Sequence, residues 1–381
     1  MKHKFTYVTY QTFPANTANS IQTISNLKYL TKSGVKIKLI FPKRSEGSNG
    51  NLGTLQKFYN FKESFEVEMK EHNYPFKDYK NITIFKKLRF HLSHFLWSKK
   101  TVRDLLNEKN DGEIYFTRSD WIFYFLNKNQ KKVIYECHQV SKVRKIIVNY
   151  LIKSRTSTII YTNALLQKEF NSRVKTFVLP NGYDGELFCE TKTKKYASRV
   201  IFVGNLLRFN EDRNIQFLIN AFQDYRLKGC ELILVGGPNS YKDKLKDSVN
   251  TKKITNVQLL GQLSHIETIK KLQQSSVGIL INSGNNAHST HHTSPLKYFE
   301  YLKAELQIVG VDFPAHRVLP FSDKIFFFRD DSYEDFITAV ESALNARPVN
   351  KLDYEKYSLE QRAQEITKVI ARLEGLEPPT L

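Results

Sequence analysis

Ser294-Pro295-Leu296-Lys297-Tyr298-Phe299-Glu300-Tyr301-Leu302-Lys303-Ala304 reads as a short helix, and the apolar run Gln307–Val311, two residues further on, reads as a buried strand. Pro295 suits the first helical turn, where its missing N–H goes unused, and Ser294 suits the N-cap. The free amides at such a helix start favour an anion and fit a diphosphate. Leu296 and Lys297 complete that first turn. Glu300 falls on a following turn, where its two carboxylate oxygens fit a pair of vicinal ribose hydroxyls. The plainer alternative is a capped amphipathic helix with a solvent-facing glutamate.

Outward from this stretch the same alternation continues. Residues 199–205 form an apolar strand running into a loop, residues 213–224 a helix, and 231–235 a strand ending in Gly236-Gly237-Pro238. A strand at 257–260, a helix at 264–274 and a strand at 277–281 complete a doubly wound parallel sheet. The first half has the same rhythm. A strand at 5–9, a helix at 19–31 (Ile21, Ile24, Leu27, Leu30) closed by Ser33-Gly34, and a strand at 35–40 make a βαβ unit. Further strands are expected at 113–116, 132–136, 157–161 and 176–179. Residues 42–80 read as an irregular polar excursion.

The turn-rich segment 180–185 and the polar stretch 191–197 mark the domain boundary. The expected organisation is α/β. A first Rossmann-like domain covers 1–188 and a second covers 189–350. Residues 351–381 form a terminal helix (359–373) and tail, packing back toward the first domain, with 377–381 disordered. Ligand is expected where the carboxyl ends of both sheets face an interdomain cleft.

The 381 residues are too many for one ordinary core, and 41 % hydrophobic with 25 % charged residues excludes wholesale disorder. Three cysteines (Cys137, Cys189, Cys230) make neither a disulfide framework nor a zinc site, and a reducing cytoplasm fits. No apolar run is long enough to span a membrane, so the chain is expected to be soluble or attached at a membrane surface. The net charge of +20 is uneven. Residues 1–190 hold 32 Lys and Arg against 16 Asp and Glu, whereas the remainder hold 26 against 22. A half at +16 points to an anionic partner, namely phospholipid, nucleic acid or an anionic glycan, or to a lysine-rich solvated surface. The helix expected at 85–107 sets Lys86, Lys87, Arg89, Lys99, Lys100 and Arg103 beside Phe90, Leu92, Phe95, Leu96 and Trp97. That pattern suits an interfacial helix and, equally, a solvated helix with a core stripe.

The dinucleotide fingerprint is absent, since Gly236-Gly237 lacks a third glycine in register, and there is no P-loop. The segment 294–304 instead resembles the donor-binding helix of GT-B glycosyltransferases of the retaining family four group. Residues 307–314 resemble that family's P-I-V-A-S-D-x-P strand, and Val178-Leu179-Pro180-Asn181-Gly182-Tyr183-Asp184 its interdomain V-I-P-N-G-V-D. Phe202-Val203-Gly204 with Arg213 and 217–222, the strand 232–237 and the strand 256–261 match further motifs in the same order.

The resemblance implies roles. Arg213 takes the place of the lysine that binds the donor phosphates, Glu300 that of the ribose-binding carboxylate, and His138 that of a histidine facing the donor sugar. There are departures. The carboxylate partner of Glu300 falls at His292. The arginine expected after Gly204 falls at Asn205, with Arg208 as a substitute. The first loop, with Asn16, Thr17 and Asn19, lacks the usual glycine pair, leaving Asn side chains and amides to bind an anion. His288, His291 and His292 form a cluster, but its pliant Gly-Asn-Asn-Ala loop offers little of the fixed geometry zinc needs and reads as a donor-site loop or plain surface. No metal or other cofactor is implied, because basic side chains and helix dipoles handle the diphosphate.

The expected partners are a nucleotide-sugar donor, a glycan or lipid-linked acceptor and an anionic membrane surface, but no nucleic acid, since no recognition motif for it appears. The expected role is glycosyl transfer in cell-surface polysaccharide synthesis, in the cytoplasm and at the inner face of the cell membrane. The rivals are a nucleotide-sugar epimerase or hydrolase of the same fold, and a non-catalytic polyanion binder.

Overall fold

The computed structural model describes residues 4–76, 84–108, 112–188, 194–208, 211–347 and 353–375. The chain forms two compact units. One comprises Met1–Leu179 with Leu359–Leu381 and the other Pro180–Ser358.

The first unit runs β1 (Lys4–Val8), α1 (Ala18–Lys32), β2 (Lys36–Pro42), α2 (Leu52–Tyr59), β3 (Glu66–Lys70), α3 (Ile84–Asn107), β4 (Ile114–Thr117), α4 (Asp120–Lys128) and β5 (Lys132–Cys137). It continues through α5 (Lys142–Ile146), a π-helical turn Ile147–Leu151, β6 (Ser157–Tyr161), α6 (Ala164–Lys168) and β7 (Lys175–Val178). Its seven strands are all parallel in the order β3-β2-β1-β4-β5-β6-β7. Such strands are covered on both faces, hence their near-continuous apolar runs. One face carries Ile24, Leu27 and Leu30 of α1 together with Ala363, Ile366 and Ile370 of the last helix. The other carries Trp97, Val102 and Leu105 of α3, Ile122, Phe123 and Leu126 of α4, and Ile147 and Val148. Each buried Val, Leu, Ile or Phe among them contributes roughly 1.5–3 kcal/mol.

The second unit runs β8 (Arg199–Val203), a hairpin of β9 (Leu207–Arg208) and β10 (Glu211–Asp212), α7 (Ile215–Ala221), β11 (Glu231–Val235), α8 (Asn239–Thr251), β12 (Val257–Gly261) and α9 (His265–Gln273). Then come β13 (Val277–Leu280), α10 (Leu296–Lys303), β14 (Gln307–Val311), α11 (Pro314–Arg317), β15 (Ile325–Phe328) and α12 (Tyr333–Asn345). The six-stranded parallel sheet has the order β12-β11-β8-β13-β14-β15. The chain then returns to the first unit as α13 (Leu359–Leu373), which packs on α1.

Strand order reverses between β1 and β4 in the first sheet and between β8 and β13 in the second. In open parallel sheets the crevice beyond the carboxyl ends at such a point is where ligands bind. The loops leaving β1, β4, β8 and β13 are therefore the ones to search.

Two expectations need correction. Residues 42–80 are not irregular throughout, because α2 and the edge strand β3 lie there. The helix is only eight residues long with Gly53 inside it, and β3 alternates charge with apolar residues, so neither shows a strong period. The second sheet does not stop at β14 either. Beyond it lie β15 and α12, which the turn-rich sequence between them and the motifs had hidden. Cys137 is buried and Cys230 half-buried, both as free thiols, while Cys189 and the tail 377–381 lie outside the described residues.

Candidate functional site

In the second unit the site is built at the switch point. A Cβ on Gly236 would lie 1.7 Å from the carbonyl oxygen of Gly204, so only glycine lets the ends of β8 and β11 approach this closely. Leu206 N donates to Gly237 O at 2.8 Å, and the turn so held leaves Asn205 exposed. Arg213, half-buried just ahead of α7, reaches back over this turn. Its Nη1 donates to Asn205 O at 3.3 Å, and its Nη2 donates to Ile281 O at 3.4 Å and to the side chain of Asn282. Asn282 directly follows the Val277–Ile281 run, so one guanidinium spans the ends of the two strands that flank the switch point. Sequence reasoning missed Asn282, and only its place after an apolar strand could have flagged it.

Helix α10 is fixed onto the same strands by Tyr301. Its hydroxyl accepts from Val203 N at 3.1 Å and donates to Ile279 O at 3.3 Å. Its ring lies over Gly278, where a Cβ would meet it at 2.6 Å. The helix begins at Leu296, one residue later than the sequence suggests. Pro295 occupies the cap position and Ser294 the residue before it, and no side chain caps the helix. Pro295 is itself extended, with φ −71° and ψ 122°, so the helical turns begin only after it. The buried Ser294 Oγ has no hydrogen-bond partner among the described residues, while its carbonyl accepts from Asn181 Nδ2 at 2.6 Å. The helix start thus presents uncapped amides beside an unused hydroxyl.

Glu300 is not the solvent-facing glutamate of the plainer reading, being only 5 % exposed. His265 Nε2 lies 2.9 Å from one carboxylate oxygen and Lys297 Nζ 2.8 Å from the other. Burial alone would raise its pKa, but the charges of Lys297 and His265 outweigh it and bring the group to about 2. It is therefore a buried acceptor that is ionised at neutral pH. His265 opens α9, behind a capping box formed by Ser264 and Glu267, and was not singled out from the sequence. His292 is buried at the end of the π-helical turn His288–His292, which packs against α11. Among the described residues no group of three His, Cys, Asp or Glu is arranged to hold a metal. The backbone of Arg208 stands in the β9–β10 hairpin, and its side chain lies outside the described residues.

In the first unit, Asn16, Thr17 and Asn19 are exposed at the start of α1, with Thr17 as its N-cap. Tyr59 anchors this loop by accepting from Ala15 N at 2.7 Å. Arg118, after β4, donates to Asn19 O and Oδ1 at 3.4 and 3.3 Å, joining the segment after β4 to the first turn of α1 at the switch point. His138 follows β5, with its Nε2 2.9 Å from Glu136 Oε2. Burial and Arg118 push His138 down to about 4 against the pull of Glu136, so it is neutral at pH 7. Glu136 is held well below the carboxylate range. Burial works the other way, but Arg362, then His138 and Arg118, prevail.

No protein-family model and no curated protein matches this chain. Solved structures do match over nearly its whole length. Sucrose-phosphate synthase from Thermosynechococcus elongatus superposes with a TM-score of 0.70 at 14 % identity, covering 98 % of this chain and 100 % of that one. A glycosyltransferase from Rickettsia africae gives 0.66 at 13 % identity, covering 98 % and 99 %. The pneumococcal O-GlcNAc transferase GtfA, solved with UDP and GlcNAc, gives 0.64 at 11 % identity, covering 98 % and 99 %. The chain has the two-sheet α/β fold of the GT-B glycosyltransferases.

Proposed function

We propose that this protein is a retaining glycosyltransferase that moves a sugar from a nucleoside-diphosphate donor to a hydroxyl of a glycan or lipid-linked acceptor, in the cytoplasm, for cell-surface polysaccharide. The observation that carries the reading is the buried, ionised Glu300 on a helix whose uncapped start carries the unpartnered Ser294 Oγ, in a GT-B-like fold. The second unit takes the nucleotide. Glu300 accepts from the ribose hydroxyls, displacing Lys297 or His265 from one oxygen. The amides of Leu296 and Lys297, with Ser294, hold the diphosphate, flanked by His292 and by the turn at Gly204, Asn205 and Arg208. Arg213 stabilises the charge that builds on the β-phosphate as the bond from the anomeric carbon to the phosphate oxygen breaks. The new bond forms to the acceptor oxygen, whose proton is released. The first unit takes the acceptor by the loop Asn16–Thr17–Asn19, and the neutral imidazole of His138 is assigned to the donor sugar. Basic side chains and helix amides supply the electrostatics, so the scheme requires no metal.

Thermal-shift measurements with UDP, GDP, ADP and CMP test the nucleotide site. Ligand at a hundred times Kd stabilises the fold by about 2.7 kcal/mol. A radiolabelled donor panel, run with and without lipid-linked acceptors, tests the reaction. Stabilisation by no nucleotide sinks the reading. Free sugar formed irrespective of acceptor would make the protein a hydrolase of the same fold.

A further inference from the structure

The outward side of α3 carries a stripe that the core does not use. Phe85 is 84 % exposed, Leu88 67 %, Leu92 49 % and Leu96 44 %. Their spacing of three or four residues sets them in one line along the helix. The line continues at the same spacing with Lys99 and Arg103, flanked by Arg89 and Lys100, and all four cations are exposed. The inward side is filled by other residues, Trp97, Val102 and Leu105, so the stripe is not the margin of the core. A second outcrop lies on the same face of the sheet. Ile146, Tyr150 and Leu151 are 52 %, 65 % and 39 % exposed, while Ile147 and Val148 between them enter the core cluster that holds Trp97. Lys142 and Lys153, on either side of this outcrop in sequence, are exposed too.

We infer that this face of the first unit docks on an anionic membrane surface. The α3 stripe lies in the interface, with Phe85, Leu88, Leu92 and Leu96 against the acyl boundary and Arg89, Lys99, Lys100 and Arg103 on the lipid phosphates. Charge complementarity selects the occupant. Helix α3 carries six Lys and Arg against one acidic residue, Asp104, within a half of net charge +16. A second copy seated on the stripe would oppose these cations with their own kind, whereas an anionic bilayer satisfies the apolar line and the charges together. No helix among the described residues is long and apolar enough to cross a membrane, so α3 lies on the surface. The inference goes beyond glycosyl transfer and does not depend on it, because vesicle binding is read without any donor.

The test is sedimentation of the full chain with vesicles of phosphatidylcholine and phosphatidylglycerol in equal parts, and with phosphatidylcholine alone. Binding to the mixed vesicles at low salt, its loss at high salt, and no binding to phosphatidylcholine alone are expected. Leu88→Ser with Leu92→Ser should weaken binding more than about tenfold. Lys99→Gln with Lys100→Gln should weaken it about fivefold per cation removed. All four positions are exposed, so the thermal midpoint should stay at the wild-type value. Wild type that ignores the mixed vesicles at low salt overturns the inference. So does a serine variant that binds as wild type, and so does a wild-type dimer that the serine pair converts to monomer, which would make a second copy the occupant.

Discussion

Arg362 pairs with Glu136 where both side chains are buried, so the last helix of the chain clamps the strand that leads to His138. The same guanidinium donates to Asn26 Oδ1 on α1 at 3.2 Å. Arg362→Met would leave Glu136 with Arg118 at 3.5 Å and His138 at 2.9 Å, its nearest opposite charge gone. Breaking a buried pair from one side costs about 3–5 kcal/mol. Urea unfolding should show that loss in Arg362→Met and much of it recovered in the double variant Arg362→Met/Glu136→Gln. An unchanged midpoint in the single variant would mean that the clamp holds nothing.

A pH dependence follows from buried imidazoles. Burial, with Arg44 adding to it, pushes His94 down to about 3, and burial pushes His316 down to about 4. Each binds fewer protons folded than unfolded between its folded value and the ordinary value of about 6.5. Their stability contribution is therefore full above about pH 6.5 and is lost as pH falls, at up to about 1.4 kcal/mol per pH unit for each. Glu136, also depressed in the fold, acts in the same direction lower down. Urea midpoints taken from pH 7.5 to 5 should fall, and His94→Gln with His316→Gln should remove part of the fall, leaving the share of His72 and His138, which are also held down to about 4. A flat wild-type profile would contradict this account.

Much of this was readable in the sequence because parallel strands are apolar runs and helices carry a 3.6-residue period. Ser157–Tyr161, Glu231–Val235, Gln307–Val311 and Leu359–Leu373 fall where those patterns set them. The short α2 and the half-charged β3 give neither signal. The site residues Arg213 and Glu300 stand out in the sequence by motif register, but their partners do not. His265 is 35 residues from Glu300 and Asn282 is 69 from Arg213, so only the folded sheet brings them together. Arg362, 226 residues from Glu136, sits on a helix whose own pattern shows only amphipathicity.

Tyr301 offers a test of how the donor helix is held. Tyr301→Phe leaves Val203 N and Ile279 O without their shared hydroxyl, and an unsatisfied buried polar group costs about 1–3 kcal/mol. The expected result is a lower thermal midpoint together with weaker nucleoside-diphosphate binding, because Glu300 is the preceding residue on the same helix. Destabilisation without any change in nucleotide affinity would separate the helix anchor from the site.

For Glu300 the expected effect is on binding. Glu300→Ala should weaken nucleoside-diphosphate affinity by about 1.5–3 kcal/mol, the worth of hydrogen bonds to a charged group. His265→Ala removes a competitor for one carboxylate oxygen and should leave affinity unchanged or raise it, opposite to Glu300→Ala. Calorimetric titration checks both. Wild-type affinity in a folded Glu300→Ala variant would remove this carboxylate from the nucleotide site.

Arg213 should show its effect in turnover. Charge accumulates on the β-phosphate only as the glycosidic bond breaks, so a cation there stabilises the transition state more than the bound donor. Arg213→Ala is expected to lower kcat/KM by more than it weakens nucleoside-diphosphate binding. Arg213→Lys should restore part of the rate, but not all. A lysine supplies the charge, whereas the guanidinium also bridges Asn205 O and the Asn282 side chain with separate nitrogens. Asn282→Ala should accordingly reproduce a smaller part of the Arg213→Ala defect, in kcat more than in KM, because it releases the guanidinium from its place without removing its charge. Steady-state kinetics on the donor found by the panel, beside nucleotide affinities for the same variants, decides the matter. Normal turnover in Arg213→Ala would move the phosphate role to Arg208. A full defect in Asn282→Ala, equal to that of Arg213→Ala, would mean that the position of the guanidinium matters as much as its charge.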